Sequence, residues 1–318
     1  MMKAKSTAAI EPAGSSRRRA LALMLGASSR LFAAPAAGNS DPPLRLAISE
    51  SLVTDVNVND ARAAMLIWFK TMTQHWNIAI EFNPNVFDTA PEILNRIREG
   101  RVDAVALNIV EYRQAADCFD GSQVVAEADA AALEQYVILV KQNSGIRQVG
   151  DLRGRRLITL KSPKMCVASA WLSTLLHEGR HVRSEQFFGS VISESKFSRV
   201  VLPVFFGQVE SCLTSKRGFD TMCELNPQVG RDLRLLASSP RMVVTFYIFR
   251  KNYQSAHRDR LVKVLSGLRT TQAGQQLATF FQFQDLVIKD AGCLAPALGV
   301  LEMAERARRL AGSREPKG

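Results

Sequence analysis

A five-residue phrase occurs twice in this chain. Gly100-Arg101-Val102-Asp103-Ala104 returns as Gly207-Gln208-Val209-Glu210-Ser211: glycine, any residue, valine, acid, small residue. Each copy follows a stretch with apolar residues at helical spacing and opens an apolar run, so the glycine reads as a helix C-cap and the run as a strand entering a sheet. A chain that repeats helix, glycine and buried strand some hundred residues apart is constrained to two α/β units of similar plan.

The flanking pattern fills in both units. A strand at 44–48 is followed by a helix over 61–76, with apolar residues at 61, 64, 65, 68, 69, 72 and 76. A strand at 78–82, a helix at 90–99 and the strand at 102–107 complete a βαβαβ order, which predicts a parallel sheet with helices on both faces. The second unit has strands at 136–140 and 156–160, a helix at 167–178, the apolar segment 185–188, a helix at 197–206 and a strand at 209–214. The chain then leads back through 233–240 to a strand at 243–250 and helices at 258–268 and 272–281. The expected fold is α/β, with two lobes joined by two hinge crossings near 141–143 and 238–241. Lobe one takes 44–140 and 241–305, lobe two takes 141–240, and 306–318 forms a basic tail. A ligand cleft is expected between the lobes, where strand C-termini and helix N-termini point.

Charge narrows the function. The formal charge of +11 suggests nucleic acid until it is divided. Residues 1–36 carry six Lys/Arg against one acid, and 303–318 carry five against two, so the folded part is nearly balanced. With 7% aromatics and no basic stripe, a nucleic-acid groove is not expected. Ser16-Arg17-Arg18-Arg19, the apolar run 20–27 and the small residues 33–37 have the order of an export signal, and the arginines suggest the twin-arginine route. The apolar run is too short to span a membrane. The five cysteines, at 118, 166, 212, 223 and 293, form no C-x-x-C pair; they read as free, buried thiols, with one disulfide the alternative.

His177-Glu178-Gly179-Arg180-His181 matches the zinc-peptidase helix motif, which would make the chain a zinc metallopeptidase. That chemistry needs continuous helix, so that both imidazoles share a face, and a third ligand. Gly179 falls where the apolar period of 171–176 stops, so a helix end is expected there instead, with no metal and no cofactor. No nucleophile elbow, phosphate-binding glycine loop or proton-sharing carboxylate pair occurs, and a non-enzymatic role follows.

Six phrases taken together carry a family resemblance: 100–112 (GRVDAVALNIVEY), 145–157 (GIRQVGDLRGRRL), 202–213 (LPVFFGQVESCL), 219–229 (FDTMCELNPQV), 235–240 (LLASSP) and 271–275 (TQAGQ). In that order, over about 45–305, the chain resembles the type II periplasmic substrate-binding proteins of the phosphate/phosphite/phosphonate ABC-transporter class. The resemblance implies two Rossmann-like lobes that close on a small anionic solute and pass it to a membrane permease, in a periplasmic monomer. A sensory binding module is the other class it allows. The implied ligand-binding residues are Ser49, Ser51, Asn108 and Tyr112 in lobe one. In lobe two they are Ser162, Lys164, Ser195, Lys196, Glu210 and Thr214. The serines can equally cap helices, the lysines be solvated, Tyr112 pack at a core edge and Glu210 end a strand. The turn at 164–167 and Glu210 depart from the phosphonate binders' pattern, which leaves the solute open. Helix N-termini beside Lys and Ser favour an anion, with Lys196 the foremost lysine.

Overall fold

The computed structural model describes residues 41–53, 57–81, 87–179, 184–281 and 283–312. The first part of the chain forms β1 (Leu46–Ser49), α1 (Val58–Trp76), β2 (Phe87–Asp88), α2 (Ala90–Arg98), β3 (Ala104–Asn108), α3 (Ile109–Arg113) and β4 (Gln123–Glu127). It continues as β5 (Tyr136–Lys141), β6 (Arg156–Leu160), α4 (Ala168–Glu178), α5 (Ser184–Phe187), β7 (Ser190–Glu194), α6 (Phe197–Phe205), β8 (Ser211–Ser215), α7 (Lys216–Leu225), α8 (Pro227–Asp232) and β9 (Leu233–Ser238). The last part contains β10 (Thr245–Phe249), α9 (Ala256–Ser266), α10 (Gln272–Phe280), β11 (Leu286–Asp290) and α11 (Ala295–Gly312).

Two sheets result, ordered β11-β4-β10-β3-β1-β2 and β7-β6-β8-β5-β9. Parallel cores are present, with β1 paired to β2 and β3, and β6 to β7 and β8, but the edge strands lie elsewhere than expected: β2 follows the segment 78–82, and 185–188 falls largely on α5, with β7 after it. The antiparallel strands β10 and β5 are where the chain changes lobes. Local chemistry sets the elements. Asn57 caps α1 by accepting from Asn59 and Asp60, and Thr89 with Glu92 makes a capping box on α2. Gly100 and Gly207, the glycines of the repeated phrase, both take left-handed φ values, 68° and 73°. In place of a strand at 78–82, Ile80 makes only an isolated bridge to Leu44, and Phe82 lies outside the described residues.

Two boundaries move. Because β5 pairs with β8 and β9, it belongs to the second sheet, and the first crossing lies at 128–135 instead of 141–143. The return crossing runs through 239–244. The two are tied by reciprocal main-chain bonds between Glu134 and Met242 (2.9 and 2.8 Å) and by Ser239 N–H to the Tyr136 carbonyl at 2.8 Å. The basic tail is shorter than expected, since α11 extends to Gly312 and buries Ala307.

The largest buried cluster does not respect the lobes. It joins Val105, Leu107 and Phe246 of the first sheet to Ile138, Leu157 and Leu213 of the second. The joint is made by Trp171 and Leu176 of α4 and Val300 and Ala304 of α11. Two smaller clusters cover the remaining faces, one per sheet. All five cysteines are free thiols.

The acid of the repeated phrase performs the same task in both lobes. Asp103 accepts the main-chain N–H of Arg45 (3.1 Å) and its guanidinium (2.8 and 2.7 Å), at the entry to β1. Glu210 accepts the main-chain N–H of Arg156 (3.1 Å) and its guanidinium (3.2 and 3.1 Å), at the entry to β6. Each acid therefore locks the N-terminal ends of two parallel strands together.

Candidate functional site

A cavity of 980 Å³ opens at the C-terminal ends of β6 and β8. One wall belongs to the second lobe, with Leu160 and Ser162 after β6, Ser195 and Phe197 at the start of α6, and Ser215, Arg217 and Gly218 where β8 turns into α7. The facing wall is α10 with its flanks, Arg269 before it and Phe283 after it. Gly218 is a glycine for a packing reason: a Cβ there would sit 2.4 Å from the Phe197 ring, so only glycine lets that ring close against the first turn of α7.

Four charges meet at one end of this cavity. Lys164 Nζ donates to Glu127 Oε1 at 2.6 Å and lies 3.9 Å from Glu134 Oε1. Arg217 Nη2 donates to Glu134 Oε1 at 2.9 Å, while its Nη1 stands 3.6 Å from Glu127 Oε2. Both carboxylates are buried, and Glu127 Oε2 accepts no hydrogen bond. Burial pushes the Glu134 carboxyl above the ordinary range, and Lys164 and Arg217 pull it back. Glu127 comes from the first sheet, Glu134 from a crossing, and Lys164 and Arg217 from the second lobe, so this group is a polar joint between lobes as well as a charged wall. Tyr136 donates its hydroxyl to the Lys164 carbonyl at 2.8 Å and fixes that turn from below. With Arg269 exposed at the rim, the lining carries three cations against the carboxylate of Glu134. No side chain caps α6, whose first turn borders the cavity, so its N–H groups add positive potential.

The residues expected from sequence separate into groups. Ser162, Lys164 and Ser195 line the cavity. Ser49, Ser51 and Asn108 come together elsewhere. Ser49 donates to Glu111 at 2.7 Å, Asn108 Nδ2 donates to Ser51 at 3.0 Å, and Asn108 caps α3. That network lies beneath the contact between the 3-10 turns Glu50–Val53 and Pro163–Met165 of opposite lobes, outside the cavity lining. Tyr112 is core, packed on Phe119 and Phe246, with burial raising its pKa. Lys196 is the exposed N-cap residue of α6 and is not part of the lining. Thr214 is fully buried in β8, its hydroxyl without a partner. Glu210 clamps Arg156 at the strand entry, about 16 Å of extended chain from Ser215.

Sequence reasoning missed Arg217, Glu127, Glu134, Ser215 and Arg269. Arg217 was within reach, since it follows the buried strand at the sheet end where α/β proteins place their ligands. Glu134 and Glu127 gave no signal until the position of the crossing was known. For the zinc motif, α4 ends at Glu178, the Gly179 N–H closes on the Leu175 carbonyl at 3.2 Å, and His177 is exposed. His181 lies outside the described residues, and among those described no three metal-binding side chains converge.

The model of one protein family, described as the periplasmic substrate-binding protein of a phosphonate ABC transporter, matches residues 51–291. No curated protein matches the sequence. Among solved structures, a binding protein component of an ABC phosphonate transporter from Pseudomonas aeruginosa superposes with a TM-score of 0.57 at 13% identity, covering 87% of this chain and 91% of that one. A Prochlorococcus marinus protein in complex with methylphosphonate gives 0.54 at 14% identity, covering 85% and 99%. The periplasmic aliphatic sulphonate binding protein of Escherichia coli gives 0.50 at 15%, covering 86% and 89%. At these identities the likeness is one of fold.

Proposed function

Since the chain belongs to the periplasmic substrate-binding proteins of phosphonate ABC transporters, we propose that its cavity holds the oxyanion head of a small organic acid between Lys164, Arg217 and the serines of the second lobe. The observation that carries this reading is the position of Lys164 and Arg217 at the end of the cavity, beside the uncapped start of α6. Ser162, Ser195 and Ser215 border the same space and supply neutral donors. An oxyanion arriving there gains charge-assisted hydrogen bonds from two cations that buried carboxylates hold in place. The loaded protein then presents its solute to a membrane permease. On this reading the chain performs no chemistry, acts as a monomer, and is exported by the twin-arginine route through residues 1–36.

Titration calorimetry with methylphosphonate and octylphosphonate tests the head-group site. Binding at a single site is expected, weakened about ten- to hundredfold by Arg217→Gln, the loss appropriate to one charged hydrogen bond. Lys196→Ala, outside the lining, should leave it unchanged. Failure of both phosphonates to bind, or indifference to Arg217→Gln, would overturn the reading.

A further inference from the structure

The cavity is larger and more apolar than an oxyanion requires. Its 980 Å³ stands at the top of the range for drug-sized ligands, roughly 300–1,000 Å³. Its chemistry also changes along α7. Arg217, Gly218, Thr221, Met222 and Leu225 all line the space and share one helix face. From the charged turn to Leu225 that face runs eight residues, about 12 Å. It begins with a guanidinium and ends with an isobutyl group that is 83% exposed. Leu202 of α6 and Val229 of α8 extend the apolar side. Val229 and Met222 are anchored in the core of lobe two, Val229 fully and Met222 in part, whereas Leu225 beyond them stands in solvent, so the wall that leads away from the fixed charges ends in apolar surface left exposed.

We propose that the ligand is an amphiphilic organic anion, with its head at Lys164 and Arg217 and an alkyl or aryl body lying along α7 over Met222 and Leu225. The proposal rests on the head-group reading above and adds the class of the body. An inorganic oxyanion would leave the apolar wall wet and draw nothing from it. An apolar body displaces that water, and each methylene added should tighten binding about fourfold, the equivalent of about 0.8 kcal/mol.

The test is a calorimetric series of inorganic phosphate and methyl-, butyl- and octylphosphonate at submicellar concentration, with octyl glucoside as an uncharged control. Affinity should climb with chain length by about threefold to fourfold per methylene. In the doubly substituted Met222→Ser, Leu225→Ser protein the climb should flatten while methylphosphonate binds as before; Leu225→Ser alone, at an exposed helix end, secures the comparison if the double variant folds poorly. Equal affinity for phosphate and octylphosphonate, an undiminished climb in the variants, or octyl glucoside binding as tightly as octylphosphonate would each refute the apolar-body proposal. Those results leave the head-group reading standing if Arg217→Gln still weakens binding. Failure of every phosphonate to bind would remove both.

Discussion

At the scale of single residues, the repeated acid shows what pattern can and cannot reveal. The phrase itself was plain, and its glycines took the backbone conformation the repeat demands. The role of the acid was not plain, because a carboxylate at the start of a buried strand looks the same whether it meets a ligand or a neighbouring arginine. Burial separates the two clamps energetically. Asp103 is 3% exposed and also accepts from Arg250 at 3.3 Å, whereas the side chain of Glu210 is 30% exposed. Asp103→Asn should therefore destabilise the protein by about 3 kcal/mol or more by stranding Arg45, while Glu210→Gln should cost about 1 kcal/mol or less. Burial alone would raise the Asp103 pKa, but its bonds from Arg45 hold it below the ordinary 3.8. A carboxyl lowered in this way stabilises the fold above its unfolded pKa, and that stability disappears as pH falls through and below about 4. Denaturant unfolding at pH 7 and pH 3 should show the gap between wild type and Asp103→Asn narrowing at the lower pH; a gap independent of pH would contradict the clamp. The lysines teach a similar lesson: Lys164 and Lys196 both precede helical turns, and only the fold distinguishes the one lining the cavity from the one facing water.

At the scale of elements, periodicity found α1, α2, α4, α6, α9 and α10 and the buried parallel strands β1, β3, β6 and β8, because each buries a regular pattern; it did not find the edge strands β2, two residues long, and β7, which is exposed along most of its length. It missed α7, which begins Lys216-Arg217-Gly218 and reads as a turn, and it missed α11. Pro296 and Gly299 near the start of α11 and the arginines at 306, 308 and 309 give that segment the look of a tail. Proline is tolerated in a first helical turn, however, and Ala297, Val300, Leu301, Ala304 and Ala307 make a buried stripe at helical spacing. Small residues on that stripe allow α11 to approach α4 closely, and Arg113 donates to Glu305 through Nη1 and Nη2 (2.7 and 2.6 Å) at its edge. Ala304→Asp should accordingly lower stability by about 3 kcal/mol or more, by placing an unpaired carboxylate in the joint between lobes. Glu305→Gln, at the exposed edge, should stay within about 1 kcal/mol. Thermal melts of the two variants check this; equal melting temperatures would mean that α11 is an appendage and not part of the core.

At the scale of the whole molecule, the two-lobed plan and the cleft were legible, since a duplicated βαβαβ order admits few other folds and places ligands at the strand C-termini. The lobe-one side of the site was not legible: Ser49, Ser51 and Asn108 stand after the right strands, yet they are consumed by bonds to one another and to Glu111 beneath the meeting of two 3-10 turns. What faces the cavity from that lobe is α10 and its flanks. The central claim is that this space belongs to an organic anion held by Lys164 and Arg217. Native mass spectrometry of the full chain, purified from a periplasmic extract without added ligand, addresses it directly. One retained acid per chain is expected, bearing an apolar body and lost in Arg217→Gln; a retained cation or metal ion, or an acid still held by Arg217→Gln, would contradict an anion site at Lys164 and Arg217.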